Sequence, residues 1–137
     1  MPRLRLLTAG ALLILLAVPA LALAKVKRGT YIEVKSQTYI VTNAAATKIK
    51  SLNIPCIVNG QQNGGNLITK SVKISNGKFS FQGKSTLRGT SNSVIDIKVT
   101  GTFGKDKITG KVTYLDSTTG CTSRSYSAKY YGVNPRG

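Results

Sequence analysis

Beyond Ala24 the chain consists of short runs in which apolar and polar residues alternate, and this pattern restricts it to β-structure. No long 3.6-residue repeat interrupts the runs, whereas a period of two is that of a strand with one buried face. The eight runs cover residues 29–34, 37–42, 47–57, 67–74, 78–84, 93–103, 107–115 and 121–130. Turn-forming Asn, Gly and Asp residues separate them. The pattern predicts an all-β fold, an antiparallel β-sandwich or barrel of seven to eight strands.

The pair Asn76-Gly77 is the strongest local turn signal, because Asn-Gly is preferred in two-residue type I′ hairpins. A hairpin centred on this pair sets apolar residues opposite each other on one face, with Ile74 opposite Phe79 and Val72 opposite Phe81. The alternation fails only at Lys70, near the far end of the strand, where a long side-chain stem can reach solvent.

A second hairpin is predicted around Lys105-Asp106. It places apolar pairs on one face: Phe103 with Ile108, Val99 with Val112, and Ile97 with Tyr114. The other face carries Thr102 with Thr109, Thr100 with Lys111, and Lys98 with Thr113. The same register sets Gly101 opposite Gly110 on the inner face, a bare spot that a neighbouring aromatic ring usually covers. A small-ligand pocket at these two glycines is the alternative use of the spot.

Cysteine and histidine content limits the chemistry of the chain. Cys56 and Cys121 are its two cysteines, and in an exported chain they are expected to form one disulfide. There is no histidine, so the commonest general base and the commonest zinc ligand are both missing. We therefore expect no metal site and no cofactor.

The first 24 residues have the pattern of a secretory signal peptide. Arg3 and Arg5 precede the uncharged stretch 6–24, which contains Pro19 and ends in small residues at alternate positions. The sequence thus predicts a signal peptide at 1–24, a single all-β domain at 25–132 and a disordered tail at 133–137. An uncleaved membrane anchor is the alternative for the first segment. With cleavage, the protein is secreted or otherwise extracytoplasmic and keeps no membrane span.

Net charge is the main clue to a partner. The chain has 20 Lys and Arg against four Asp and Glu, a net charge of +16. Loss of Arg3 and Arg5 leaves 18 basic residues, of which 14 are lysine, and a net charge of +14. Such a surface attracts anionic envelope or extracellular polymers, and lysine-rich surfaces suit adhesion better than specific nucleic-acid recognition. Lys73, Lys98 and Lys111, held outward by their strands, are the candidate polyanion-binding residues; an ordinary solvated surface is the competing interpretation.

The positions of the four acidic residues do not favour an enzyme. Asp106 and Asp116 fall in predicted turns, Asp96 lies on the polar face of its strand, and Glu33 has no obvious carboxylate partner. Glycoside hydrolysis needs two carboxylates across a cleft. We therefore expect a non-enzymatic module. A small-ligand or protein-binding domain with a pocket near Gly101 and Gly110 is the second hypothesis, and a secreted hydrolase the third. The oligomeric state stays open.

Short segments that contain glycine, cysteine or an aromatic residue follow one another in a characteristic order along most of the chain after Ala24. The segments are Gly29-Thr30-Tyr31, Cys56, Gly101-Thr102-Phe103, Ile108-Thr109-Gly110, Gly120-Cys121-Thr122-Ser123 and Tyr126-Ser127-Ala128. In this order the chain resembles small secreted two-cysteine all-β bacterial proteins of unknown function. The resemblance assigns no activity and no site residue.

Overall fold

The protein is described by a computed structural model, which covers residues 24–89 and 93–133. The predicted signal peptide therefore lies outside the described residues except for Ala24, and Val133 alone of the predicted tail is described.

Within these two ranges the chain forms nine strands in one antiparallel sheet. They are β1 (Thr30–Glu33), β2 (Thr38–Thr42), β3 (Lys48–Val58), β4 (Gln61–Ile68), β5 (Val72–Lys73), β6 (Lys78–Arg88), β7 (Val94–Phe103), β8 (Lys107–Tyr114) and β9 (Arg124–Gly132). One 3-10 turn, Ser117–Thr119, precedes β9. The all-β, antiparallel prediction is confirmed, with nine strands in place of seven or eight. The extra strand arises because the predicted run 67–74 is divided between β4 and β5.

The strand order is β2-β1-β9-β8-β7-β6-β4-β3-β5, and β2 also pairs with β3. Tyr39 of β2, for example, lies opposite Asn53 of β3. This additional pairing returns the strand order to its starting strand. β3 pairs with β4 from Leu52 onward and with β5 near its start, where Ile49 lies opposite Val72.

Alternate residues of the strands form one buried core. The side chains of the core point to the inner face of the sheet. The largest fully buried ones are Tyr31, Ile40, Ile49, Leu52, Ile54, Ile95, Ile97 and Ile108. Aromatic rings meet edge to face near the β7–β8 turn, where Tyr31 lies 5.4 Å from Phe103 between ring centroids. Such pairs add about 0.5–1.5 kcal/mol beyond their burial.

The predicted β7–β8 hairpin is confirmed pair by pair. Phe103 faces Ile108, Val99 faces Val112, and Gly101 faces Gly110. The turn closes with the Gly104 N–H donating to the Lys107 carbonyl at 2.7 Å. A two-residue turn fixes the register, and the alternation on both strands then fixes which face is buried.

The predicted hairpin around Asn76-Gly77 is right at its turn and wrong along its arms. Both turn residues have positive φ (51° and 68°), as a type I′ turn requires, and Ser75 bridges Lys78. Beyond that bridge the predicted pairs are absent from the described strands: Val72 pairs with Ile49, while Phe79 and Phe81 pair with Gly101 and Val99. The apolar sorting nevertheless holds, since Val72, Phe79 and Phe81 are buried.

The predicted disulfide is confirmed. Cys56 and Cys121 are bonded, with their Cα atoms 5.1 Å apart and 65 positions apart in sequence. The bond ties β3 to the segment before β9 and indicates an oxidising, extracytoplasmic environment. Among the described residues no helix has the length and apolar character needed to cross a membrane.

Candidate functional site

The outward residues of β6, β7 and β8 form a continuous polar surface, here called the lysine–threonine face. Its members are Lys78, Ser80, Gln82, Lys98, Thr100, Thr102, Thr109, Lys111 and Thr113. The inner residues of the same strands are apolar and buried. Side chains of a strand alternate between faces, so burial of the apolar set holds the polar set outward.

Two of the three candidate lysines are diagonal neighbours on this face. Lys111 lies directly opposite Thr100, and Lys98 precedes Thr100 by two residues on β7. Diagonal neighbours in an antiparallel pair have Cα atoms about 7–8 Å apart. Lys98 also lies between Gln82 of β6 and Thr113 of β8. The register therefore brings two ammonium groups within reach of one anionic group.

The third candidate, Lys73, reaches the same surface from β5. It pairs with Lys48 of β3 and lines a shallow depression of about 420 Å³ on the lysine–threonine face. The other lining residues include Lys78, Thr100 and Thr109. Lys73 and Lys78 thus both line the depression at one end of the face, while Lys111 lies in its middle row and Lys98 in the row at the other end.

Acidic residues leave these three lysines uncompensated. Asp96 pairs with Lys84 at 3.2 Å, and Asp106 pairs with Lys27. Among the described residues, Lys73, Lys98 and Lys111 take part in no ion pair. The acid nearest to them in register, Asp96, lies two residues from Lys98 on the outward side of β7 and is paired with Lys84.

The carboxyl groups are engaged by local donors. Hydrogen bonding from Lys27 lowers the pKa of Asp106, and the backbone N–H of Thr118 lowers that of Asp116. A glycosidase acid needs the opposite shift, a raised pKa. In the part of the chain that the structure describes, no three His, Cys, Asp or Glu side chains gather in a way that could hold a metal ion.

The facing glycines lie beneath aromatic side chains. A Cβ on Gly101 would overlap the Phe79 ring and come within 2.7 Å of the Tyr126 hydroxyl oxygen. That hydroxyl donates to the Thr100 carbonyl at 2.8 Å, and burial raises the pKa of Tyr126. The inner side of the glycine pair is thus filled. The depression beside Gly101 and Gly110 is walled mainly by outward polar residues of the neighbouring strands.

Sequence reasoning missed two polar groups inside the fold. The Arg124 guanidinium donates to the Pro55 carbonyl and the Thr38 hydroxyl, both at 3.2 Å. Asn66 is fully buried, and its Nδ2 donates to the Ser85 hydroxyl at 3.1 Å. The alternating pattern did indicate an inward position for Arg124, because this residue has the same place in the alternation as the buried Tyr126 and Ala128 of β9.

Comparison of the chain with protein-family models, with curated proteins and with solved structures finds no match.

Proposed function

We propose that this protein is an exported, non-enzymatic β-domain that associates with anionic polymers of the cell envelope or the extracellular space. Lys73, Lys98 and Lys111 are the proposed contacts, with hydroxyls of the lysine–threonine face as secondary donors. The observation that carries the proposal is the absence of any ion-pair partner for these three lysines in the described chain, within a molecule of net charge +16.

Lysine suits a repetitive polyanion because its ammonium group is a compact charge on a flexible stem. It needs no fixed partner geometry, unlike the planar guanidinium fork of arginine. Ser80, Thr100 and Thr109 place hydroxyl donors between the ammonium groups. Exposed charge contacts contribute about 0.2–1 kcal/mol each, so binding through such a face depends on several contacts acting together.

We also infer that the sheet closes into a barrel. Support comes from the pairing of β2 with β3, which joins the first strand of the order to the strand next to its last. Lys98 and Lys111 would be held at a fixed spacing, because β7 is paired along its length with β6 and β8. Export through the predicted signal peptide is consistent with the disulfide.

Sedimentation of the purified protein with isolated bacterial envelope tests the proposal. We expect co-sedimentation in low salt and release near 1 M salt, where the screening length falls to about 3 Å. Absence of binding in low salt would contradict the proposal. Binding that persists near 1 M salt would also contradict it, because apolar or hydrogen-bonded contacts would then be responsible.

A second candidate function is recognition of a small ligand or a protein beside Gly101 and Gly110. The depression of about 420 Å³ on that side of the sheet favours it. Salt separates the two candidates, because a ligand held by shape and hydrogen bonds would stay bound near 1 M salt. Thr100 and Thr109 line the depression, so replacing both by Val would weaken binding of such a ligand strongly, and would weaken envelope binding only by the share of two secondary hydroxyl contacts.

A further inference from the structure

β4 and β5 run antiparallel to β6 as one arm of a long hairpin, and the two arms pair only at their ends. Asn66 pairs with Leu87 at one end, and Ser75 bridges Lys78 at the other. Eight residues intervene on each arm, 67–74 and 79–86, so both ends share one register. Across these intervening residues, all of them described, no ladder pair joins the arms. We call this region the open seam.

Lys70 occupies the inner register position at which the arms are apart. In the shared register, position 70 faces Gly83 on the inner side, and burying an unpaired ammonium group there would be costly. The chain instead leaves the strand conformation after Ile68, and Lys70 is exposed. The arm then turns toward β3, where the Ile74 N–H donates to the Thr47 carbonyl at 2.9 Å.

The opening leaves β6 without a ladder partner on this side between Lys78 and Leu87. β5 stays within 8 Å of β6 between Cα atoms, so a chain added beside Ser80 would displace it. Gly77 and Leu87 hydrogen-bond toward the β7 side, to Phe103 and Ser93. In an antiparallel strand alternate residues bond to opposite neighbours. The N–H and C=O groups of Ser80, Gln82 and Lys84 therefore point toward the seam. A row of backbone groups of this kind is a template for another extended chain.

Apolar and cationic side chains both surround the open seam. A depression of about 220 Å³ lies there, with the inner-face residues Ile68, Phe81 and Ser85 among its lining. Lys70, Lys84 and Arg88 line it from the outside. Lys84 also pairs with Asp96, but both side chains are largely exposed and such pairs contribute little. Apolar groups thus lie below the seam and cations around it.

We infer that the open seam binds an extended acidic peptide segment, which adds as a strand to the unpaired edge of β6. Backbone hydrogen bonds to Ser80, Gln82 and Lys84 would supply affinity, as in other cases of strand addition, including insertion between two strands of one sheet. Alternate side chains of the peptide would meet the apolar floor and the surrounding cations. Charge complementarity favours an acidic partner over a second copy of this chain, whose own charge of +16 would repel it.

A labelled, end-capped nine-residue peptide of alternating Glu and Val is the direct probe. The matched control is the same peptide with alternate backbone amides N-methylated, which keeps its charge but blocks strand pairing. We expect the parent peptide to bind at least about tenfold tighter than the control in fluorescence anisotropy. We also expect slower hydrogen exchange at the Ser80, Gln82 and Lys84 amides of the purified protein. Equal binding of the two peptides would overturn the inference, and so would unchanged exchange at those amides.

Charge reversal tests the location. The double variant Lys70→Glu, Arg88→Glu should bind the Glu/Val peptide about tenfold or more weakly than the unaltered protein does. It should bind a peptide of alternating Lys and Val more tightly instead. Lys35→Glu with Lys50→Glu makes the same change in net charge on exposed residues outside the lining of the seam, and should have a small effect. Equal losses in both variants would place binding elsewhere. The proposal does not depend on polymer binding, since the N-methyl control isolates strand pairing from charge.

Discussion

Lys70 and Gly83 occupy opposing positions in the register that both ends of the β4–β6 hairpin share, yet Lys70 lies in solvent outside the strand. The inner space beside Gly83 is met by the Phe81 ring, 3.3 Å from where a Cβ would stand. A charged residue thus stands at an inner position in the stretch where two arms that share one register are unpaired. We expect this lysine to hold the open seam apart, because burying an unpaired ammonium group is costly.

Replacing Lys70 by Val should close the seam. Valine restores the apolar alternation, and its burial stabilises the fold by about 1.5–3 kcal/mol. We expect a higher denaturation midpoint and slower hydrogen exchange at Ser80, Gln82 and Lys84 without any peptide. Lys50→Val, at an exposed position of β3, is the control. Unchanged exchange at the three amides in Lys70→Val would show that the lysine does not hold the seam open.

Gly110→Ala should destabilise the protein strongly. The added methyl group would collide with the Thr100 backbone carbonyl and lie 2.7 Å from the Tyr126 hydroxyl oxygen. Overpacking of this kind typically costs about 1–3 kcal/mol. Gly104→Ala is the matched control, because its nearest contact is 3.3 Å away, at the Lys107 carbonyl. Chemical denaturation measures both, and equal stability of the two variants would contradict the packing described for the glycine pair.

Loss of the disulfide should remove much of the stability of the domain. The bond closes a loop of 65 positions, which the chain-entropy model values at roughly 4 kcal/mol. A Cys56→Ala, Cys121→Ala double variant should unfold at a much lower denaturant concentration than the oxidised protein. Reduction of the unaltered protein should produce a similar shift. A midpoint that does not move would mean that the bond contributes little.

Alkaline pH should weaken the fold through buried tyrosines. Burial raises the pKa of Tyr114 to about 12, above an unfolded value of about 10. Its contribution is fully present below about pH 10 and is lost as pH rises toward 12, because the unfolded chain ionises first. We expect the free energy of unfolding to fall by roughly 2–3 kcal/mol over this window.

Tyr114→Phe should flatten that alkaline decline, at the cost of the hydrogen bond to the Pro55 carbonyl at neutral pH. Tyr131→Phe serves as its control, since the Tyr131 side chain is 80% exposed. Denaturation curves recorded at several pH values compare the two. If Tyr114→Phe declines as steeply as the unaltered protein, ionisation of Tyr114 is not the cause.

Local rules predicted the β7–β8 hairpin completely and β4 poorly. Lys105-Asp106 closes a two-residue turn between two alternating strands, so the register follows directly. The start of β4, Gln61–Gly65, has no apolar alternation and gave no strand signal. It forms because Asn59-Gly60, both with positive φ, turn the chain back so that Val58 faces Gln61. The turn signal was present in the sequence, but the periodicity was not.

The candidate site, too, was predictable from the sequence only in part. The adjacency of Lys98 and Lys111 follows from the hairpin register and was predictable. The position of Lys73 was not, because it depends on β5 joining β3, a partner distant in sequence. Arg124 was overlooked as an interior residue because a charged side chain is rarely placed at an inner position. Its buried acceptors come from β2 and β3, and local patterns cannot supply them.

Affinity for a defined polyanion shows whether binding occurs through the lysine–threonine face. Binding to polygalacturonate in low salt should be compared among the unaltered protein, a Gln variant of Lys73, Lys98 and Lys111, and a Gln variant of Lys35, Lys50 and Lys129. Both variants lose three charges, and the control lysines are exposed and lie off the lysine–threonine face. We predict an affinity loss of about threefold to a hundredfold for the first variant, since three contacts of about 0.2–1 kcal/mol are removed, and a clearly smaller loss for the control. Equal losses would rule out binding through this face, because binding would then follow net charge alone.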